Sequence, residues 1–439
     1  MTRSDRRTMR KGATLVEPGD VATPVEGVGN YLPKPDILFI SHCVPNPPEK
    51  GEKIRSFHLI HYLAQRYRVH LVCFARAQSE IPAANALESV CASVYVELLP
   101  SLPALIRGGM RLLFGGCLNA GFYWSPRMKR HVDAMTRQTQ FQAALVYAAV
   151  MHPYAPSGVP VLLDMQDVDS EKWFEYAGRR FPGFLFALEA SRLRDFERAG
   201  AQAADCTFLT TAREEALLRR IAPGAATGFM ENGVEVRDWN GETAVPEAFA
   251  GKRFIAFIGT LDYYPNADAA QWFATCIFPK LRLWHPGLEF LIIGRQPTPQ
   301  VQKLGALEGV TVTGPVPDPR PFIASARAVV APLRLARGIQ NKVIEALVLG
   351  RRVYVSEAVC RTFGNSLPAG VVACSSESEF IRLLDEVCRQ EPVRDLEIAR
   401  SACERFSWPN NLRCMGNRLE AIIASHAGAA KDPVKEARV

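Results

Sequence analysis

One pattern governs what this chain can become: a short apolar run, a loop, then helical sequence, repeated, and begun afresh in the second half. Residues 36–41 (DILFIS), 68–74 (RVHLVCF), 93–98, 143–148 and 159–164 are apolar enough for buried strands, and a helix is expected over 54–65. A stretch near 231–247, with Asn-Gly, a proline and several charges, reads as a linker. The pattern then restarts with 253–259 (RFIAFIG), a helix over 267–283, and strands at 289–294, 310–313, 328–332 and 352–355. Buried runs separated by helices predict βαβ units and parallel sheets. At 439 residues one core is not expected. The fold class expected is therefore α/β, with two doubly wound, Rossmann-like domains facing a cleft, where ligands bind at the carboxyl ends of the strands.

Composition removes other classes. Apolar residues are 48% and charged residues 22% of the chain, which excludes wholesale disorder. The eleven cysteines are odd in number, scattered, and lack CxxC or zinc spacing, which favours a reducing compartment. The basic start (Arg3, Arg6, Arg7, Arg10, Lys11) has no apolar stretch behind it, so no signal peptide is expected. No run reaches the roughly 20 apolar residues of a membrane span; residues 102–124 come nearest, interrupted by Arg107 and Arg111. The formal charge of +7 is modest and no nucleic-acid module is present, so no nucleic-acid partner is expected.

The segment most able to do chemistry is 331–356, APLRLARGIQNKVIEALVLGRRVYVS. A strand ends near Pro332, a loop carries Arg334, Arg337 and Gly338, and a helix begins near Gln340 with Lys342 and Glu345 on it. A helix start beside glycine offers backbone N–H groups and the positive end of a dipole, which suits a diphosphate. Arg334 and Lys342 add charge, and Glu345 is placed to accept from the two hydroxyls of a ribose. The plainer reading is a capped helix with solvated charges.

This segment resembles the nucleotide-sugar-binding element of retaining GT-B glycosyltransferases of family 4. Other pieces agree in order: Asn232-Gly233-Val234 at the start of the second domain, Gly294-Arg295 at a strand end, Gly314-Pro315-Val316 at the loop that touches the base, and Phe406-Ser407-Trp408 opening a last helix that crosses back. A narrower likeness is to sugar transferases associated with the exosortase/PEP-CTERM system of bacterial exopolysaccharide clusters. It rests on Lys50 to His58 (KGEKIRSFH), Asp167 to Trp173 (DVDSEKW), Asp262 to Asn266 (DYYPN) and Ala336 to Lys342 (ARGIQNK).

Basic and polar sequence without periodicity reads as a disordered tail over 1–34 and a second tail over 425–439; between them the resemblance implies an acceptor-side domain (35–235), a nucleotide-sugar domain (236–405) and a crossover helix returning to the first domain (406–424). It implies donor contacts at Gly51, Arg295, Val316, Arg334, Gly338, Ile339, Gln340, Asn341 and Glu345. Two departures stand out. The wider family has a pair of glutamates around this helix; Glu345 fits the second and Arg337 takes the place of the first. At Gly259-Thr260-Leu261-Asp262 the wider family has a cationic pair for the diphosphate, for which Arg334 and Lys342 are the substitutes here.

In the first half, Gly51 follows a proline-rich loop and lets backbone approach a phosphate or an acceptor. Lys53 and Arg55 read as solvated helix charges beginning the cleft-facing helix. His152 lies where the wider family places a histidine near the donor sugar; a surface loop histidine is the alternative. Asp164, Asp167 and Asp169 form a DxD-like cluster that invites a divalent metal. No metal is expected, because a cationic helix start neutralises a diphosphate on its own. Asp167 instead reads as an acceptor-side carboxylate, orienting or deprotonating a hydroxyl; the plainer alternative is a helix N-cap at Asp169 with Ser170 and Glu171 behind it. Residues 101–140 hold six basic side chains and one acidic, beside Leu105, Leu112, Leu113, Phe114 and Trp124. They read either as a membrane-surface patch or as an ordinary core-facing helix.

The expected activity is metal-independent sugar transfer, with catalytic candidates His152, Asp167 and Lys342. The donor is a nucleoside diphosphate sugar acting as substrate, with no cofactor. The acceptor is a lipid-linked or polysaccharide glycan, and the location cytoplasmic, at the inner face of the plasma membrane. A nucleotide-sugar epimerase of the same fold and a non-catalytic anionic-surface binder are the alternatives.

Overall fold

The computed structural model describes residues 34–48, 51–178, 181–234, 245–336, 338–364 and 366–430. The expectations for residues 1–33, for Lys50, for Arg337 and for most of the linker (235–244) lie outside them.

The apolar runs become two parallel sheets. The first holds β1 (Asp36–Ser41), β2 (Arg68–Ala75), β3 (Ser93–Leu98), β4 (Ala143–Tyr147), β5 (Val161–Gln166), β6 (Cys206–Leu209) and β7 (Thr227–Phe229), in the order β3-β2-β1-β4-β5-β6-β7. The second holds β8 (Arg253–Ile258), β9 (Leu288–Ile293), β10 (Val310–Gly314), β11 (Ala328–Ala331), β12 (Val353–Ser356) and β13 (Val371–Cys374), in the order β10-β9-β8-β11-β12-β13. Each order reverses beside the first strand of its sheet, which is the doubly wound topology expected. Sequence reading missed β6, β7 and β13, which have only four, three and four residues.

Burial on both faces explains the continuous apolar runs. On β1, Ile37 and Phe39 enter one core of the first lobe while Leu38 and Ile40 enter the other. The second lobe closes around a single large core that includes Phe254, Ile255, Ala256 and Phe257 of β8. All eleven cysteines are free thiols, most of them buried.

The chain crosses between lobes at two adjacent places. Val234 N donates to Phe406 O (2.7 Å), and Val234 bridges Ser407. The helix Trp408–Ala430 then packs on the first lobe, with Trp408, Leu412, Met415, Leu419 and Ile422 in the core that holds Ile37. It runs beyond residue 424, so 425–430 are helical rather than part of a tail. Gly233 sits flat against Trp408; a Cβ there would come within 2.5 Å of the indole.

Candidate functional site

The carboxyl ends of the two sheets face each other, and the segments that leave them meet. After β11 the chain reaches Gly338, with φ +59°, a left-handed backbone that glycine adopts without penalty. A Cβ on Gly338 would stand 2.8 Å from Oδ1 of Asp167 and 3.1 Å from Oγ1 of Thr210. Asp167 follows β5 and Thr210 follows β6, so a second-lobe loop rests directly on two strand ends of the first lobe.

The helix Asn341–Val348 starts here. Gln340, in the N-cap position, makes no side-chain hydrogen bond to the helix start; its Nε2 donates to Gly338 O (3.3 Å). Gly350, with φ +71°, follows the helix and permits the turn into β12. Asn341 Oδ1 accepts from Asn232 Nδ2 (3.3 Å), and a Cβ on Gly51 would lie 3.7 Å from Asn341 Nδ2. Gly51 begins the helix Gly51–Ala64, so two helix starts, one from each lobe, converge. The rings of Tyr176 and Tyr264 meet edge-on across the same gap, 5.9 Å apart.

Inside the second lobe, Lys342 is buried and its Nζ donates to Asn266 Oδ1, lying 4.9 Å above the Phe257 ring. Asn266 Nδ2 donates to Thr260 O (2.9 Å). Burial pulls the Lys342 amine down to about 7 and pushes the Glu345 carboxyl up to about 7, each shift restrained by the other's charge. The charge of Lys342 therefore changes with pH near neutrality.

On the first-lobe side, Thr210 Oγ1 donates to Asp167 Oδ1. Burial and the charge of Glu214 raise Asp167 to about 6, and the Thr210 hydrogen bond opposes them. Lys172 pairs with Asp169 (2.8 Å). Burial lifts the Tyr263 phenol to about 12, with Lys172 opposing.

The remaining candidates fall elsewhere. Arg334, about half exposed, gives its guanidinium to both oxygens of Asp268 instead of standing free at the loop. Arg295 and Val316 lie half-buried just beyond β9 and β10. Ile339 is buried, its side chain in the second-lobe core, which leaves only its backbone for a ligand. His152 packs its ring on Phe196 (4.3 Å) and against Gly200 of the helix Gly183–Ala203; burial holds it down to about 4. It is not among the groups gathered around Gly338.

Two readings are corrected. Arg55 is not a solvated charge: it is fully buried and grips Asp164 (2.8 and 3.0 Å), Met230 O (2.7 Å) and Asn232 Oδ1 (3.1 Å). Asp169 is the first residue of its helix rather than the cap; Val168 precedes it with no side-chain hydrogen bond. The three aspartates are engaged separately, by Arg55, Thr210 and Lys172. Among the described residues the group with metal-ligand spacing is instead His42, Cys43 and Glu52, whose ligand atoms lie within 4.8 Å of one another.

Sequence reasoning missed Thr210 and His42. His42 follows β1 directly, is stacked on Tyr147 (5.6 Å) and approaches Glu52 (3.5 Å). Its only sequence signal was its place at a strand's carboxyl end.

These features define a two-lobed GT-B architecture. Residues 252–387, within the second lobe, match the family described as Glycosyl transferases group 1. Solved structures share the fold across both lobes. HepE of Anabaena, in complex with UDP and glucose, matches at a TM-score of 0.59 with 12% identity, over 88% of this chain and 99% of that one. An α,α-trehalose 6-phosphate synthase from Burkholderia multivorans matches at 0.56 with 11% identity, over 90% and 100%. A glycosyltransferase from Rickettsia africae matches at 0.56 with 10% identity, over 89% and 99%. Among curated protein sequences no match was found.

Proposed function

We propose that this chain is a retaining glycosyltransferase that moves a sugar from a nucleoside diphosphate sugar to a glycan acceptor, without a metal. The observation that carries the reading is the helix start at Gly338–Asn341, set against Asp167 and Gly51 of the opposite lobe. The second-lobe family match and a neighbour solved with UDP and glucose point the same way.

Breaking the bond from the sugar to the diphosphate puts negative charge on the leaving oxygen. The N–H groups of the helix start and the Lys342 ammonium stabilise that charge where it develops. Glu345 accepts from the ribose hydroxyls, and Asn266 holds Lys342 in place. The acceptor hydroxyl enters on the side of Asp167, which orients it. Its oxygen forms the new bond to the anomeric carbon on the face the diphosphate leaves, and the departing phosphate oxygen takes its proton. Closure of the lobes excludes water and limits hydrolysis.

The finer assignment follows the motif resemblance: a transferase of the exosortase-associated kind, serving exopolysaccharide synthesis at the inner face of the plasma membrane, with a lipid-linked or polysaccharide acceptor. A panel of nucleoside diphosphates tests the donor site. UDP or GDP should raise the melting midpoint in proportion to saturation, and absence of a shift with every nucleoside diphosphate would overturn the reading. Incubating donor alone and following it by NMR separates the epimerase alternative, which would convert the sugar without an acceptor.

A further inference from the structure

We propose that the outer face of the helix Ser101–Leu113, together with the adjoining turn of the helix Gly183–Ala203, docks on a bilayer that carries anionic lipid. The first of these helices is built inside out. Its buried residues are the small ones, Ala104 and Gly108. Its large apolar side chains face water: Leu105 is 52% exposed, Ile106 57%, and Leu113 and the following Phe114 83% each. A helix packed on a core does the reverse.

Glycine geometry fixes this orientation. A Cβ on Gly108 would stand 2.8 Å from Leu118 O, and one on Gly121 2.9 Å from Arg107 O. The helix Leu118–Phe122 therefore presses on the small-residue stripe and leaves no room to turn the large side chains inward. The Gly183–Ala203 helix extends the same surface. Its Arg192 donates to Leu112 O and Gly116 O, and its buried Glu189 accepts from Leu118 N (2.6 Å) and Asn119 N (3.1 Å). One and two turns before Arg192 stand Leu188 and Phe184, the latter 72% exposed. A contiguous apolar surface of this kind marks an interaction site, unlike isolated exposed leucines.

Charge selects the occupant. Within 101–140 there are six basic residues and one acidic; on the helix itself Arg111 is exposed, while Arg107 is half-buried and donates to Phe122 O (3.2 Å). A basic, amphipathic surface is drawn to anionic headgroups while its apolar face enters the acyl boundary. A second copy of this chain would instead set these arginines against their own equivalents. The surface also lies near the start of the helix Gly51–Ala64, whose Glu52 is approached by His42 (3.5 Å). The segment ends at Tyr123, whose ring meets His42 edge-on (5.7 Å) immediately beyond β1. For the identity of what is delivered there, a lipid-linked acceptor, the inference rests on the transferase reading; the surface itself does not.

The test is co-sedimentation of the full chain with phosphatidylcholine vesicles, with and without phosphatidylglycerol. The wild type should sediment with the anionic vesicles. Leu105→Asp with Leu113→Asp should weaken binding by at least about tenfold, and Arg111→Gln by about fivefold. Both variants should keep the wild-type melting midpoint and its shift with UDP. Vesicle binding without any UDP shift would count against the donor site and leave this surface standing. No binding, binding indifferent to lipid charge, or equal binding by the double-aspartate variant would overturn the proposal. So would a lipid-free dimer in sedimentation velocity that the double-aspartate change abolishes, which would give the face to a second copy.

Discussion

Arg55 and Asp164 form a doubly hydrogen-bonded ion pair with no solvent exposure on either side chain. The guanidinium also holds Met230 O and Asn232 Oδ1, and Asn232 reaches Asn341 at the second-lobe helix start. A charge in the middle of the first lobe is therefore two hydrogen bonds from the candidate donor site. Removing one partner of such a pair leaves the other buried and unpaired, at a cost of about 3–5 kcal/mol. Arg55→Met should lose that much in urea unfolding. Adding Asp164→Leu should recover part of the loss; no recovery would mean that the contacts to Met230 and Asn232 dominate.

Lys342→Ala should lower turnover by about a hundredfold or more, the scale of losing one preorganised donor to a developing anion. Its melting midpoint should stay close to wild type, because burying the amine already works against its charge. Turnover near normal would remove Lys342 from the mechanism.

Gly338→Ala places a methyl against Asp167 and forces alanine into a left-handed backbone, which costs about 1–2 kcal/mol. The loop must lift off the first lobe. The donor KM should rise and turnover fall, while the midpoint drops by roughly a few degrees. Unchanged kinetics would show that the contact between this loop and Asp167 is incidental.

Protons should follow the donor. Lys342 loses its charge above about 7 in the free protein, and a bound diphosphate stabilises the ammonium. Donor affinity should fall as pH rises past that value, and binding near pH 8 should take up a proton. Calorimetry in buffers of different ionisation heat measures the uptake, and proton release would contradict the assignment. Turnover should fall as Asp167 protonates below about 6.

His58 stacks on Trp408 (4.6 Å) and is held down to about 4, by burial and then by His61. The unfolded chain binds its proton near 6.5, so its neutral burial is fully favourable above that value and lost as pH falls from about 6.5 to 4. His58→Phe should flatten the stability-pH curve over that window. An unchanged slope would assign acid sensitivity elsewhere, with His152, also buried neutral, as the next candidate.

The strands that carry the site were legible because parallel strands buried on both faces spell continuous apolar runs. β7, with the sequence TGF and partial exposure, offers no such run. The segment from Gly338 to Glu345 was legible because helix, loop and charge all lie within a few residues. The fate of Arg55 was not, since its carboxylate partner is 109 positions away. The same distance problem hid the pairing of Arg334 with Asp268 and that of Thr210 with Asp167. The inverted helix was ambiguous for another reason: periodicity locates an apolar stripe but does not say whether protein or solvent lies beneath it.

The bridge between Val234 and Ser407 has a practical consequence for dissecting the molecule. Because Trp408 and the four apolar residues behind it complete the first lobe's core, a fragment cut at the junction of the sheets would leave one half with an open wound and the other with a greasy stub. The halves are thus best studied by co-expression or circular permutation.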